Sequence, residues 1–201
     1  MSSVNAHVFM NLSSSLRSLS LAYCDLQGKF PKSIFDLPNL NLLTLGDNRN
    51  LNLDPLKLNR SSNLEHLDLS GSNFFGGLPD SMGNLVSLKF LDLSSSNLSG
   101  AVPRLLGNLL QLTHLDFSQN QLSGQILRSL GNLVQLTHLD FTQNQLSGQI
   151  PRSLGSLLQL IVLDLGWNKL SGQIPLSILY LTQLEYLTIS NNSLEGSIPD
   201  E

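Results

Sequence analysis

The segment Leu112–Ile126, LTHLDFSQNQLSGQI, recurs almost unchanged as Leu136–Ile150, LTHLDFTQNQLSGQI. Self-similarity at a fixed period of this size confines a chain to stacked architectures, because one unit cannot bury its apolar face alone and neighbours must cover it. Stepping by 24 from Leu112 in both directions meets Leu16, Leu40, Leu64, Leu88, Leu136, Leu160 and Leu184, a leucine every time. With that leucine as position one, positions four and six are also apolar, from Leu19 and Leu21 through Leu115 and Phe117 to Leu187 and Ile189. Apolar residues two apart have strand spacing, so each unit opens with a strand that points them inward.

Position nine is Asn48, Asn120, Asn144, Asn168 and Asn192 in five units and Cys24, Ser72 and Ser96 in the other three. A buried Asn at a bend can donate to carbonyls that the curve leaves without partners. Cys and Ser are smaller and donate less, so their turns are expected to be looser. An apolar residue follows at position eleven, then a glycine at thirteen (Gly28, Gly76, Gly100, Gly124, Gly148, Gly172, Gly196), then Ile-Pro or its equivalent. Glycine supplies turn freedom and proline fixes φ while removing a donor. Strand, bend, corner and return segment make one coil.

These residues, in the pattern LxxLxLxxNxLSGxIPxxLxxLxx from Leu16 to Pro199, resemble the plant-type leucine-rich repeat, above all the ectodomains of plant receptor-like proteins and receptor-like kinases. The polygalacturonase-inhibiting proteins are relatives of the same type. The resemblance implies a right-handed solenoid, an α/β-type superhelix of about eight coils, each one period long. It also implies a parallel sheet on the concave face, 3-10 and irregular segments behind, and a short second sheet after the Ile-Pro corner. Residues 1–15 read as the tail of a preceding repeat or a disordered start. Residues 16–201 read as one array of seven full coils and a truncated eighth, without capping domains.

Composition excludes some functions. The net charge is −4, from 11 basic and 15 acidic residues, with no basic run, which argues against nucleic acid as a partner. Cys24, the only cysteine, sits at position nine and reads as a small buried residue, and no disulfide can form within the chain. Met1–Ser15 has neither a basic start nor a long apolar core, so it does not read as a signal peptide. No stretch approaches 18 uninterrupted apolar residues, so no membrane segment is expected. The missing cysteine-paired caps and kinase domain suggest a segment of a longer ectodomain or a truncated product with sticky end coils.

Three coils depart from the pattern. The second, Leu40–Asn63, loses the Gly-x-Ile-Pro corner, so a bulge or loop is expected around Asn48–Leu58. The third has Phe74-Phe75-Gly76-Gly77 in place of Leu-Ser-Gly, and the fifth has Leu127 where proline belongs. Neither of these changes is expected to break its coil.

Side chains between the inward leucines project from the concave sheet. Position three reads Ser18, Leu42, His66, Phe90, His114, His138, Val162, Tyr186; position five reads Ser20, Thr44, Asp68, Asp92, Asp116, Asp140, Asp164, Thr188; position eight ends Gln119, Gln143, Trp167, Asn191. Such a mixture suits a recognition face. The candidate contact residues are Phe90, Asp92, His114, Asp116, Gln119, His138, Asp140, Gln143, Asp164, Trp167 and Tyr186. The aspartates alone read better as a solvated sheet face. Large aromatics left exposed cost solubility, which favours binding for Phe90, Trp167 and Tyr186. The adjacent His114 and His138 each stand two residues from an aspartate, so the carboxylates are expected to raise one another's pKa and hold the imidazoles protonated. A metal reading of these pairs lacks supporting ligands. A Ser118, His114, Asp116 catalytic reading fails because the three lie along one strand without a pocket. No enzyme activity and no cofactor are expected.

Four sequons, at Asn11, Asn59, Asn97 and Asn191, fit N-glycosylation in a secreted chain. None falls between Asn97 and Asn191, which leaves the fifth to seventh coils, Leu112–Gln183, as a glycan-free window for a partner. By resemblance, the chain is expected at the extracellular face of the plasma membrane or in the apoplast. There it would bind a peptide, carbohydrate or protein ligand, and a co-receptor kinase, in defence or developmental signalling. The alternative is a soluble inhibitor of a microbial cell-wall hydrolase, for which an acidic face is poorly suited. An ice-binding solenoid would need a flat, regular Thr or Asn array, and these columns are too mixed.

Overall fold

Leucines two apart alternate with polar residues at the opening of every coil, and in the computed structural model, which describes residues 15–53, 62–74 and 76–198, each such opening is a three-residue strand. Eight of them, Ser18–Ser20, Leu42–Thr44, His66–Asp68, Phe90–Asp92, His114–Asp116, His138–Asp140, Val162–Asp164 and Tyr186–Thr188, form one parallel sheet in chain order. Every pair is in register at the repeat period, as in His114 with His138 and Asp116 with Asp140. Behind it lie the leucines: Leu112, Leu115, Phe117 and Leu122 of the fifth coil are fully buried, and Phe117 stacks on Phe141 of the sixth at 5.7 Å. The core is therefore one continuous column running through all coils.

The second strands come before the Ile-Pro corner and not after it. Gln145–Gly148, for example, precedes Pro151, and the 3-10 turn Arg152–Ser156 follows it. The proline, at φ −71, lacks the N–H a strand would need and starts the turn instead. Leu127 adopts φ −76 and ψ 136 and is followed by the same turn, Arg128–Asn132, so the fifth coil is regular without its proline.

Position nine sets how these second strands pair. The Asn144 amide donates to the carbonyls of Phe117, Phe141 and Thr142 at 2.8, 3.1 and 3.3 Å, and its oxygen accepts the Leu122 N–H at 2.9 Å. Each Asn thus satisfies the bend of its own coil and the strand of the coil before. The Ser72 and Ser96 hydroxyls still donate to the Leu45 and Leu69 carbonyls of the coil before, at 3.5 and 2.8 Å, but they do not take up the N–H of its second strand. Accordingly the Leu51 N–H of the second coil turns to the Asn48 carbonyl, and the Phe74 N–H of the third turns to the Ser96 carbonyl. The expected irregularity at Asn48–Leu58 is visible as far as Leu53. Strand Asn50–Leu53 pairs its Asn50 with Gln27 and its Asn52 with Asn73, where a regular coil such as the fifth pairs Ser123 with Gln145. Against that regular spacing the first pairing is one residue longer and the second one residue shorter. One extra residue has entered that turn, moving Leu51 into the buried place. The second strands accordingly fall into a group of three and a group of five, joined between the third and fourth coils by the single bridge Gly76 to Leu98. The third coil keeps its concave strand but not a continuous second sheet.

Cys24 corrects its sequence reading. It is exposed, because no described coil covers the outer side of the first one. Its N–H still donates to Asn48 at 3.2 Å. At the other end Leu187, the position-four leucine of the eighth coil, is 42% exposed for the same reason. Asn11, Asn59, Phe75, Pro199 and the segment before Ser15 lie outside the described residues.

Candidate functional site

Position three brings four rings into a row across consecutive concave strands. His66 lies on Phe90 with ring centroids 4.1 Å apart and planes within 7°, and Phe90 lies on His114 at 4.4 Å and 5°. His114 meets His138 at 5.4 Å, tilted by 37°. The in-register sheet makes this possible, since hydrogen-bonded strands hold equivalent side chains at about 4.8 Å. Phe90 is consequently half-buried between two imidazoles and not the exposed ring expected from the sequence. His66, absent from the candidate contacts, is part of the stack. The sequence signal for it is its place in the same column, one period before Phe90.

Beside the rings runs the aspartate column, and each carboxylate has a structural duty. Asp92, Asp116, Asp140 and Asp164 accept the backbone N–H two residues on, from Ser94, Ser118, Thr142 and Gly166, at 2.8 to 2.9 Å. Asp68 does so for Ser70 at 3.0 Å. These are Asx turns that close the strand end. One oxygen of each carboxylate is committed to the bend. Ser118 is buried, and Asp116 accepts from its backbone, so the His114, Asp116, Ser118 row is not assembled for catalysis. Among the described residues no group of three or more His, Cys, Asp or Glu is placed to hold a metal ion.

Position eight forms the rim. Gln119, Gln143, Trp167 and Asn191 all adopt left-handed backbone, φ 53 to 55, as do Tyr23, Asp47 and Ser95 in earlier coils. This conformation is unfavourable for a residue with a Cβ. It is held here by coil-to-coil bonds such as Trp167 N–H to the Ser190 carbonyl at 2.9 Å. The consequence is that the position-eight side chain points outward: Trp167 is 59% exposed and Gln119 and Gln143 are exposed. Tyr186, 63% exposed, is separated from the ring row by Val162. The candidate contacts thus divide into a packed row, Phe90, His114 and His138, and separate outlying side chains.

The Leucine Rich Repeat family description matches residues 15–37, 63–85, 87–109, 111–133, 135–157, 159–181 and 183–201. The chain belongs to the leucine-rich repeat family. The irregular second coil is the one repeat left unmatched. Comparison with curated proteins finds no significant match. Among solved structures, the chain is 36% identical to the Arabidopsis receptor kinase HAESA in complex with the peptide hormone IDA and the co-receptor SERK1, with a TM-score of 0.82 over 94% of this chain and 32% of that one. It is 32% identical to the plant peptide hormone receptor RGFR1 in complex with RGF2, TM-score 0.81, over 92% of this chain and 30% of that one. PEPR1 with AtPEP1 is 37% identical, TM-score 0.72, over 87% and 28%. The chain spans about a third or less of the length of these receptor chains.

On the concave face of this leucine-rich repeat array, burial controls the titrating groups. The Asp140 carboxyl is pushed up from the ordinary 3.8 to about 6, chiefly by burial, against the Thr142 hydrogen bond and with help from Asp116, Asp164 and Asp92. Asp92 is raised for the same leading reason. The mutual effect of the carboxylates is real but secondary. Burial holds His66 and His114 below 6.5, outweighing the attraction of Asp68 and Asp116, so the His114 imidazole is not kept protonated as expected from the sequence. Desolvation within a stack disfavours the cation more than a solvated carboxylate stabilises it.

The signs give a testable pH dependence. A carboxyl raised in the folded state contributes stability that is full below about 3.8 and is lost as pH rises through about 6. The lowered imidazoles contribute stability that is full above 6.5 and is lost as pH falls below it. Asp140→Asn keeps an oxygen for the Thr142 N–H. It is expected to raise the urea midpoint at pH 7 relative to the parent and to leave it little changed at pH 3.5. Equal shifts at both pH values would refute the assignment.

The described sequon asparagines are both exposed. Asn97 lies in a surface ladder: its amide donates to Asn73 at 3.4 Å and its oxygen accepts from Gln121 at 2.6 Å. Asn191 has one weak contact, 3.5 Å to Ser190. No described helix is long and apolar enough to cross a membrane.

Proposed function

We propose that residues 16–201 act as one non-enzymatic recognition module that binds a peptide or protein ligand through the concave face, as part of an extracellular plant receptor. The observation that carries this reading is the preformed row His66, Phe90, His114, His138, flanked by the exposed Trp167 and Tyr186. Rings already stacked lose little rotamer freedom on binding, so their exposed edges offer apolar contact at low entropic cost. The receptors HAESA and RGFR1, which over the matched third of their length share this fold and about a third of the aligned residues with the chain, were solved with peptide hormones. A co-receptor kinase is the expected second partner, by the same comparison with HAESA and SERK1. Contacts are assigned to Phe90, Asp92, His114, Asp116, Gln119, His138, Asp140, Gln143, Asp164, Trp167 and Tyr186, and glycans to Asn97 and Asn191.

The test is selection of a displayed random-peptide library on the full chain secreted from plant cells, with mass spectrometry of Asn97 and Asn191 in the same material. Selected peptides are expected to lose at least about tenfold in affinity when Phe90 or Trp167 becomes serine, the scale of a truncated aromatic anchor. Peptides that bind both variants as well as the parent would remove the concave assignment. Two unmodified asparagines would remove the glycan assignment.

A further inference from the structure

Away from the concave face, two adjoining grooves repeat one coil apart. The first, about 730 Å³, is lined by Gln125, Arg128, Gln149, Arg152 and Ser153 beside Ile150 and Pro151. The second, about 650 Å³, repeats it with Gln149, Arg152, Gln173 and Ser177 and adds Tyr180 and Glu195. Hydrogen-bonded second strands, Gln121–Gln125, Gln145–Gly148 and Lys169–Gly172, set the spacing between coils at about 4.8 Å. The following 3-10 turns are pressed together where Gly131 meets Ser153. Position seventeen, the first residue of those turns, is Arg104, Arg128 and Arg152 in three successive coils, with Asp80 before and Leu176 after.

Three exposed guanidiniums in a column repel one another, and among the described residues no side-chain hydrogen bond or ion pair engages any of them. In a chain of net charge −4 this is a local concentration of positive field. The hydroxyls of Ser153 and Ser177, one in each groove, are buried without a hydrogen-bond partner. Tyr180, 65% exposed, offers a flat ring at the second groove.

We propose that these grooves bind a linear acidic polysaccharide. Its anionic groups would meet Arg104, Arg128 and Arg152, its hydroxyls the carboxamides of Gln125, Gln149 and Gln173, and one sugar face would stack on Tyr180. Arginine forks match carboxylate and sulfate geometry, and charge-assisted bonds are the strong ones. An extended acidic peptide fits less well, because its same-face side chains recur at about 6.7 Å, against about 4.8 Å for the coils. The first groove, which has no carboxylate, is the stronger of the two, since Glu195 opposes an anion in the second.

The experiment is titration calorimetry of the full chain with oligogalacturonate, a heparin fragment and polyglutamate of similar length, at low and at physiological salt. At least one saccharide is expected to bind, more weakly at higher salt, and the preferred one identifies carboxylate or sulfate as the anion. Arg128→Gln and Arg152→Gln are each expected to lower that affinity about tenfold. Leu176→Arg, which lengthens the column by one coil, is expected to raise it. Phe90→Ser should leave it unchanged, which keeps this site separate from the concave one. Absence of saccharide binding, equal binding of polyglutamate, or indifference to the arginine substitutions would each overturn the proposal.

Discussion

Replacing Asn144 by alanine is expected to destabilise the array by about 1–3 kcal/mol, because the buried Leu122 N–H loses its partner and one orphaned buried donor costs that much. The carbonyls of Phe117, Phe141 and Thr142 each lose one donor but keep another, from the Asn120 amide, the Asn168 amide and the Gln119 N–H. The chain carries its own comparison. Where Ser96 replaces Asn, its hydroxyl donates to the Leu69 carbonyl at 2.8 Å and to that of Ser94 at 3.0 Å, but the preceding strand must bond elsewhere. Asn144→Ser should therefore cost less than Asn144→Ala, and Ser96→Asn should stabilise. Because a solenoid unfolds by neighbouring coils, the measurement is amide exchange read coil by coil, beside urea unfolding of the whole chain. A loss below about 1 kcal/mol for Asn144→Ala would show that water replaces the amide freely.

A second large effect is expected at Gly131, where alanine should cost about 3 kcal/mol through overpacking. Its Cβ would stand 2.5 Å from the Ser153 carbonyl oxygen and 2.8 Å from the Ser153 Cβ, so the clash is partly with backbone that has no rotamer to change. The 3-10 turns of the fifth and sixth coils would have to separate, lengthening the bonds between their second strands. Gly124 is a contrasting control: an added Cβ would meet only the Ala101 side chain at 3.7 Å, and its cost comes from φ +81 alone. Thermal unfolding of Gly131→Ala and Gly124→Ala, with amide exchange across Arg128–Ser156, separates the two causes. Loss of protection confined to the substituted turn, with its neighbour unaffected, would rule out the packing account.

Particular residues show how far the fold is legible in advance. The column of leucines from Leu16 to Leu184 implies strand, register and stacking together, since each coil repeats one local solution. The position-nine asparagines imply a buried ladder, but its reach into the preceding coil cannot be read from one unit. Hence the sequence points to looser turns at Cys24, Ser72 and Ser96 themselves, and the structure adds that the second strand of the coil before each serine, in the second and third coils, is paired differently. Cys24 departs from its sequence reading because burial at position nine depends on a neighbour outside the unit.

The candidate site divides in the same way. That Phe90, His114 and His138 share a face follows from the alternation of side chains within a strand and the repeat period between strands. That Phe90 is clasped between His66 and His114, and that burial lowers those imidazoles, depends on ring rotamers and desolvation set by the neighbouring coils. The period in the sequence determined the coil, the sheet and the columns, because local propensity and an inward leucine pattern act within one repeat. Only the tertiary structure decided which column members touch, which are buried and which way they titrate, because contacts and desolvation arise between repeats.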